Sequence, residues 1–149
     1  FMAMLLHFGR GVDKDYAAAA ELYRKAADQG LEVSRNNLAD LYENGFGVPQ
    51  DYRQAMALYR KAAQSKLPIA FLSIGSLYEK GLGVPVDPQL AYSHYQLATQ
   101  QRKNDGNADE AEKRRERLRG QLSDKQKADA EALASGWKPG APLPGESVQ

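Results

Sequence analysis

The chain has 149 residues, 42% of them apolar, and carries 20 Lys and Arg against 19 Asp and Glu for a formal charge of +1, with no cysteine. That length and apolar share suit one domain or a short repeat array with a real core. The near balance of charge withholds the cationic surplus that nucleic-acid backbones and anionic lipid surfaces demand. Lack of cysteine excludes a disulfide framework, a thiolate zinc site and a cysteine nucleophile, and no apolar run approaches the ~20 residues of a membrane-spanning helix.

The opening residues Met2-Ala3-Met4-Leu5-Leu6 align with Leu38-Ala39-Asp40-Leu41-Tyr42 further on. They read as the second half of a helix whose first half, together with a signal or further repeats, has been cut away upstream. The alignment rests on an internal repeat: Gly-x-Gly-Val starts at Gly9, Gly45 and Gly81, 36 residues apart. The same register holds Asp15, Asp51 and Asp87; Ala19, Ala55 and Ala91; Tyr23, Tyr59 and Tyr95; and Leu5, Leu41 and Leu77. Repetition at such a period is the signature of a stacked helical array. The copies are 1–30, 31–66 and 67–102, the first of them incomplete.

In the middle copy, Ser34, Leu38, Leu41 and Tyr42 follow helical spacing and define a first helix, helix A, that Gly45 stops. The connector Gly45-Phe46-Gly47-Val48-Pro49-Gln50 is a shaped loop. Helix B starts at Asp51, whose side chain caps the first orphan amides. The third copy has Pro88 directly after Asp87, in the first helical position that proline favours. Helix B carries Ala55, Tyr59, Ala62 and Ala63, small residues around one ring, repeated as Ala19, Tyr23, Ala26 and Ala27 and as Ala91, Tyr95 and Ala98. The rings are read as core rather than as a ligand cage.

One helix pair cannot hide its apolar stripe, so the array needs a cap. Residues 103–138 supply two capping helices. The first opens near Asn107 with Asp109, Glu110 and Glu112, closes with Arg114, Arg115, Arg117 and Arg119, and carries a thin stripe of Ala108, Ala111, Leu118 and Leu122. The second begins at a capping box, Ser123 to Gln126, and carries Ala130, Leu133 and Trp137. Residues 139–149, rich in Pro and Gly, read as an extended or mobile tail.

Leu38, Ala39, Tyr42, Gly45, Gly47, Val48, Asp51, Ala55, Tyr59, Ala62 and Ala63 together resemble the Sel-one-like repeat, a longer-looped relative of the tetratricopeptide repeat. The third copy fits through Ala70, Ile74, Gly75, Tyr78, Gly81, Gly83, Val84, Asp87, Ala91, Tyr95 and Ala98. Leu6 departs from the pattern where other copies have tyrosine, and Lys66 and Arg102 stand where the first copy has Gly30. The resemblance implies an all-α fold, a right-handed α-α superhelix of stacked helix pairs, whose concave surface holds a protein or peptide. It also inclines toward a bacterial protein of the periplasm or envelope. The cysteine-free chain cannot belong to the disulfide-bearing branch linked to β-lactam binding.

With helix A lining the concave side, as the resemblance implies, partner-binding falls to Asn36, Asp40, Glu43 and Asn44, then Leu72, Ser76, Glu79 and Lys80, with Met4, His7 and Phe8 before them. The carboxylates of Asp40, Glu43 and Glu79 suit a basic or polar segment. His7 and His94 stand more than two repeats apart and form no triad and no metal-ligand spacing. The glycine loops lack the P-loop ending. No cofactor, metal or small-molecule substrate is read. The function expected is non-enzymatic protein binding as an adaptor, regulator or inhibitor. An immunity-type protein neutralising a toxic effector enzyme, and a cell-wall hydrolase using Asp40 and Glu43, are the alternatives.

Overall fold

The computed structural model describes residues 15–101 and 105–146. Seven α-helices and no strand occur among the described residues: α1 (Tyr16–Asp28), α2 (Glu32–Asn44), α3 (Tyr52–Ala63), α4 (Pro68–Lys80), α5 (Pro88–Gln101), α6 (Gly106–Arg119) and α7 (Asp124–Gly136). The chain is all-α, its helices packed in adjacent pairs, and divides into two compact units, Phe1–Ala62 and Ala63–Gln149.

In the first unit α1 lies on α2 around Ala19, Ala20, Tyr23, Leu38 and Leu41, with Tyr16, Leu22, Tyr42, Val48 and Leu58 packed against that cluster. The helices begin where the aspartates sit. Asp15 Oδ1 accepts the Ala18 amide at 2.9 Å, and Asp51 Oδ1 accepts the amides of Arg53 and Gln54 at 3.0 and 3.1 Å. Helix α2 ends at Gly45, left-handed with φ 69°, and Leu41 O accepts the Phe46 amide. The loop then closes when the Asp51 amide donates to Tyr42 O at 2.9 Å.

The second unit builds its connector in the same way. Gly81 has φ 71°, the Leu82 amide donates to Leu77 O, and the Asp87 amide donates to Tyr78 O at 2.9 Å. Helix α5 starts at Pro88, with Asp87 Oδ1 accepting the Leu90 amide. The main packing is α4 on α5, with α6 laid against both and α7 against α5.

Helix α6 starts earlier than its charge pattern implies, because Asp105 is the cap and accepts the amides of Asn107 and Ala108. The capping box of α7 forms as expected, with Ser123 and Gln126 each serving the other's backbone. Its buried stripe differs from the expected one. Ala130 and Ala134 face inward, whereas Leu133 is 46% exposed. Tyr92 OH donates to Glu131 and Ser93 Oγ donates to Ala130 O, which sets the rotation of α7 on α5. Trp137 meets Phe71 edge-on with ring centres 5.5 Å apart. Residues 139–146 are held rather than loose: Leu143 is 2% exposed, and Gln64 bonds the backbone of Gly140 and Ala141.

Two backbone positions yield stability predictions. Gly47, at φ 76°, lies so close to α1 that a Cβ would stand 2.2 Å from the Tyr16 carbonyl carbon and 2.4 Å from the Ala17 nitrogen. Backbone cannot step aside as a side-chain tip can. Gly47→Ala should therefore cost about 3–5 kcal/mol in urea unfolding. Lys66 adopts φ 63° at the exit of α3, where Gly30 has φ 89° at the exit of α1. The sequence departure thus leaves the turn left-handed in both places and loads the strain onto a side-chain-bearing residue. Lys66→Gly should raise stability by about 0.5–1 kcal/mol, read as a higher urea midpoint at unchanged slope.

Candidate functional site

The expected partner-binding residues sit on α2 and α4, which position them by helical spacing; Met4, His7 and Phe8 lie outside the described residues. On α2, Asn36 is not an open contact residue, since it is 4% exposed and its Oδ1 has no hydrogen-bond partner. Asp40 is half-buried and its backbone oxygen and carboxylate both receive Asn44 Nδ2, at 2.8 and 3.3 Å. Asn44 is exposed. Glu43 is drawn into the fold: Tyr59 OH donates to its Oε1 at 2.9 Å, and its carbonyl receives Gln50 Nε2.

Helix α4 repeats this pattern. Leu72 and Ser76 are half-buried and Lys80 is exposed. Glu79 accepts Tyr95 OH at 2.7 Å and forms an ion pair with Arg117 at 2.5 Å. Glu43 and Glu79 thus hold equivalent positions, each bound to the core tyrosine of the helix that follows. The acidic strip is partly structural. What faces water is Asn44 and Lys80, with Asp40, Leu72 and Ser76 half open beside them.

The tyrosines are core residues, as their spacing indicates, with Tyr23, Tyr59 and Tyr95 at 2%, 1% and 0% exposure. Burial raises the Tyr95 hydroxyl well above its ordinary value of 10.0, and the Glu79 carboxylate adds to the effect. Burial raises Tyr23 and Tyr92 in the same direction, helped by Asp40 and Glu131 respectively. His94 is fully buried, stacked on Tyr78 at 5.4 Å, with Nδ1 hydrogen-bonded to Leu90 O. A carbonyl can only accept, so Nδ1 carries the proton. The arginines of α6 are engaged: Arg114 with Glu110, Arg115 with Glu112, and Arg119 with Glu116, while Arg117 reaches across to α4. Arg115 also bonds Gln96 and lies over the Tyr92 ring. Sequence reasoning places residues 114–119 on a helix surface and misses the reach of Arg115 and Arg117, because it lacks the packing angle of α6. Among the described residues no group of three or more His, Cys, Asp and Glu comes together, and no helix is long and apolar enough to cross a membrane.

The raised tyrosines set the alkaline behaviour. Below pH ~10 they are protonated in both the folded and the unfolded chain and contribute no pH dependence. As pH rises above 10 the unfolded chain releases these protons first, so the folded state loses stability. Each buried tyrosine contributes a slope of up to ~1.4 kcal/mol per pH unit. Urea unfolding between pH 8 and 11 should show this decline, and Tyr95→Phe should flatten it.

The sequence pattern described as Sel1 repeat matches residues 1–31, 33–66 and 70–102. No curated protein matches the chain. Among solved structures, a protective antigen present in uropathogenic Escherichia coli strains, displaying an SLR fold, is 30% identical with a TM-score of 0.77, covering 89% of this chain and 28% of that one. A Sel1 repeat protein from Oxalobacter formigenes is 28% identical with a TM-score of 0.63, covering 91% of this chain and 62% of that one. The chain thus spans less than two thirds of either protein. Sel1 repeats are in general protein-interaction modules. Three matched copies, an all-α architecture of adjacent helix pairs, and glycine connectors built alike in both units lead to one conclusion: the chain belongs to the Sel1 repeat family.

Proposed function

We propose that the chain is a non-enzymatic interaction module, acting as an adaptor, regulator or inhibitor, that takes a protein or peptide through the solvent-facing side of helix A in its repeats, α2 in the first unit or α4 in the second. The observation that supports this most is the match of three successive Sel1 repeats. Its helix A residues Asn44 and Lys80 are exposed, and Asp40, Leu72 and Ser76 beside them are partly so. These side chains are mixed in character, which suits a polar segment with an apolar residue set against Leu72. Glu43 and Glu79 hold their helices in place and present this surface; they are not its main contacts. Asn36 is buried and takes no part in the surface.

A hydrolase reading through Asp40 and Glu43 is disfavoured by the same geometry. Glu43 is tied to a core phenol and Asp40 to the Asn44 amide, so the two do not form an isolated acid and base facing a substrate cleft. Nucleic acid is disfavoured because each arginine of α6 is matched to a carboxylate.

The test is a variant carrying Asp40→Lys, Asn44→Lys and Lys80→Glu, with Glu43 and Glu79 left intact. Circular dichroism should match the unsubstituted chain, and the melting temperature should move by only a few degrees, since Asn44 and Lys80 are exposed and Asp40 is half-exposed, its carboxylate bonded locally to Asn44. Affinity for a partner recovered from native lysate should fall at least ~10-fold. An unchanged partner set at unchanged affinity rejects this surface.

A further inference from the structure

The segment after α7 is bound the way a peptide ligand is bound. Gln64 lies in the turn between α3 and α4 and reads its backbone in both directions: Nε2 donates to Ala141 O at 3.1 Å and Oε1 accepts the Gly140 amide at 2.6 Å. That two-sided amide contact recognises main chain, here a turn with Gly140 at φ 93°, whatever its side chains are. Trp137 Nε1 donates to the same Ala141 oxygen. Leu143 and Pro144 are buried, Leu143 at 2% exposure, and serve as the anchor. Gly145, at φ 82°, passes so close to the wall that a Cβ would stand 2.7 Å from both Leu90 Cδ1 and Tyr78 OH. The segment therefore runs from the start of α4 to its far end, where Tyr78 meets Leu90 at the start of α5.

Two further observations set this segment apart from ordinary core. Its own hydrogen bonds are short-range turns, with the Ala141 amide on Lys138 O and the Glu146 amide on Leu143 O, while Glu146 Oε2 takes the Leu143 amide. Beside it an open cleft of about 440 Å³ is lined by Ala132, Leu133 and Trp137 at the end of α7 and by residues 141–146 of the segment itself. An irregular segment held by an amide clamp and a single anchor, and bordered by an open cleft, is built to be exchanged.

We infer that the surface formed by Gln64, Tyr78 and Leu90 is a peptide-binding site, that residues 140–146 are its resident occupant, and that it takes from a partner a proline-containing segment that turns at glycine and carries one aliphatic anchor. The resident sequence Gly-Ala-Pro-Leu-Pro-Gly states the chemistry of that partner. Proline fixes part of the ligand's backbone in advance, so less entropy is lost on binding. It shares no residue with the interaction surface proposed above, so it stands or falls independently of that reading.

The probe is a synthetic peptide with the sequence of residues 138–146, and the protein is the full chain carrying Leu143→Asp, which removes the anchor from the resident strap. Trp137, the single tryptophan, reports binding by fluorescence. The variant should bind the peptide at least ~10-fold more tightly than the unsubstituted chain, whose site is already filled. Adding Gln64→Ala, or changing the peptide's leucine to alanine, should weaken binding at least ~10-fold. Equal affinity for the two chains, no binding to the variant, or indifference to the leucine overturns the inference. If Leu143→Asp loses its helical circular dichroism, hydrogen exchange on the unsubstituted chain decides. Amides of Gly140 and Leu143 should exchange at least ~100-fold faster than the core amides of α5. Exchange as slow as that core makes the segment an integral part of the fold and overturns the inference.

Discussion

A phenol buried to within a few percent must find an acceptor, and in this chain the acceptor is a glutamate sixteen residues earlier, near the end of the preceding helix. Tyr59 uses Glu43 and Tyr95 uses Glu79. An unmet hydroxyl in such a place costs about 1–3 kcal/mol, so the pairing decides more than it contributes. It fixes how far helix B advances along helix A, because a slip of one residue turns the ring away from the carboxylate. The connector supplies the same register independently, through the amides of Asp51 and Asp87 on the carbonyls of Tyr42 and Tyr78. Two local constraints thus agree on one hairpin geometry, which is the consistency that lets a short array fold to a single state.

The price of that arrangement falls on the surface. Glutamates that look free in sequence are committed inward, and in the second unit Glu79 also carries Arg117, tying α6 to α4. The proposed interaction surface is therefore narrower than helical periodicity implies, and its exposed members are Asn44 and Lys80. A helix face can serve both stability and recognition, provided that the residues for each task alternate around it.

Much of the fold is legible because its signals are local. Aspartate caps, the proline after Asp87, the glycines that stop α2 and α4, and the Ser123 capping box each act within four residues, so spacing alone exposes them. The tyrosine core is legible from repetition. The partners of Glu43 and Glu79 are not, since a bond across sixteen residues depends on the angle between two helices. Nor is the burial of Asn36, whose residue type argues for water. The docked segment after α7 is hidden for a compositional reason: Pro and Gly signal irregular backbone, and say nothing about whether that backbone is held. One clue does lie in the sequence. Helix α4 is apolar on more of its circumference than α2, with Phe71 where α2 has Arg35 and Pro68 where α2 has Glu32, and such a helix needs cover on a second side.

That contrast bears on how arrays of this kind lengthen. In the first unit the outer turn leaves Leu31 at 56% exposure and seals its flank with the ion pair of Arg35 and Glu32, whereas the corresponding Leu67 in the second unit is 8% exposed. Duplicating residues 31–66 inserts a module whose flank already tolerates water. Duplicating residues 67–102 inserts one whose flank is greasy and has no second α7 to shelter it. Growth by gene duplication is thereby channelled through the middle copy, and the last copy is locked to its place beside α7.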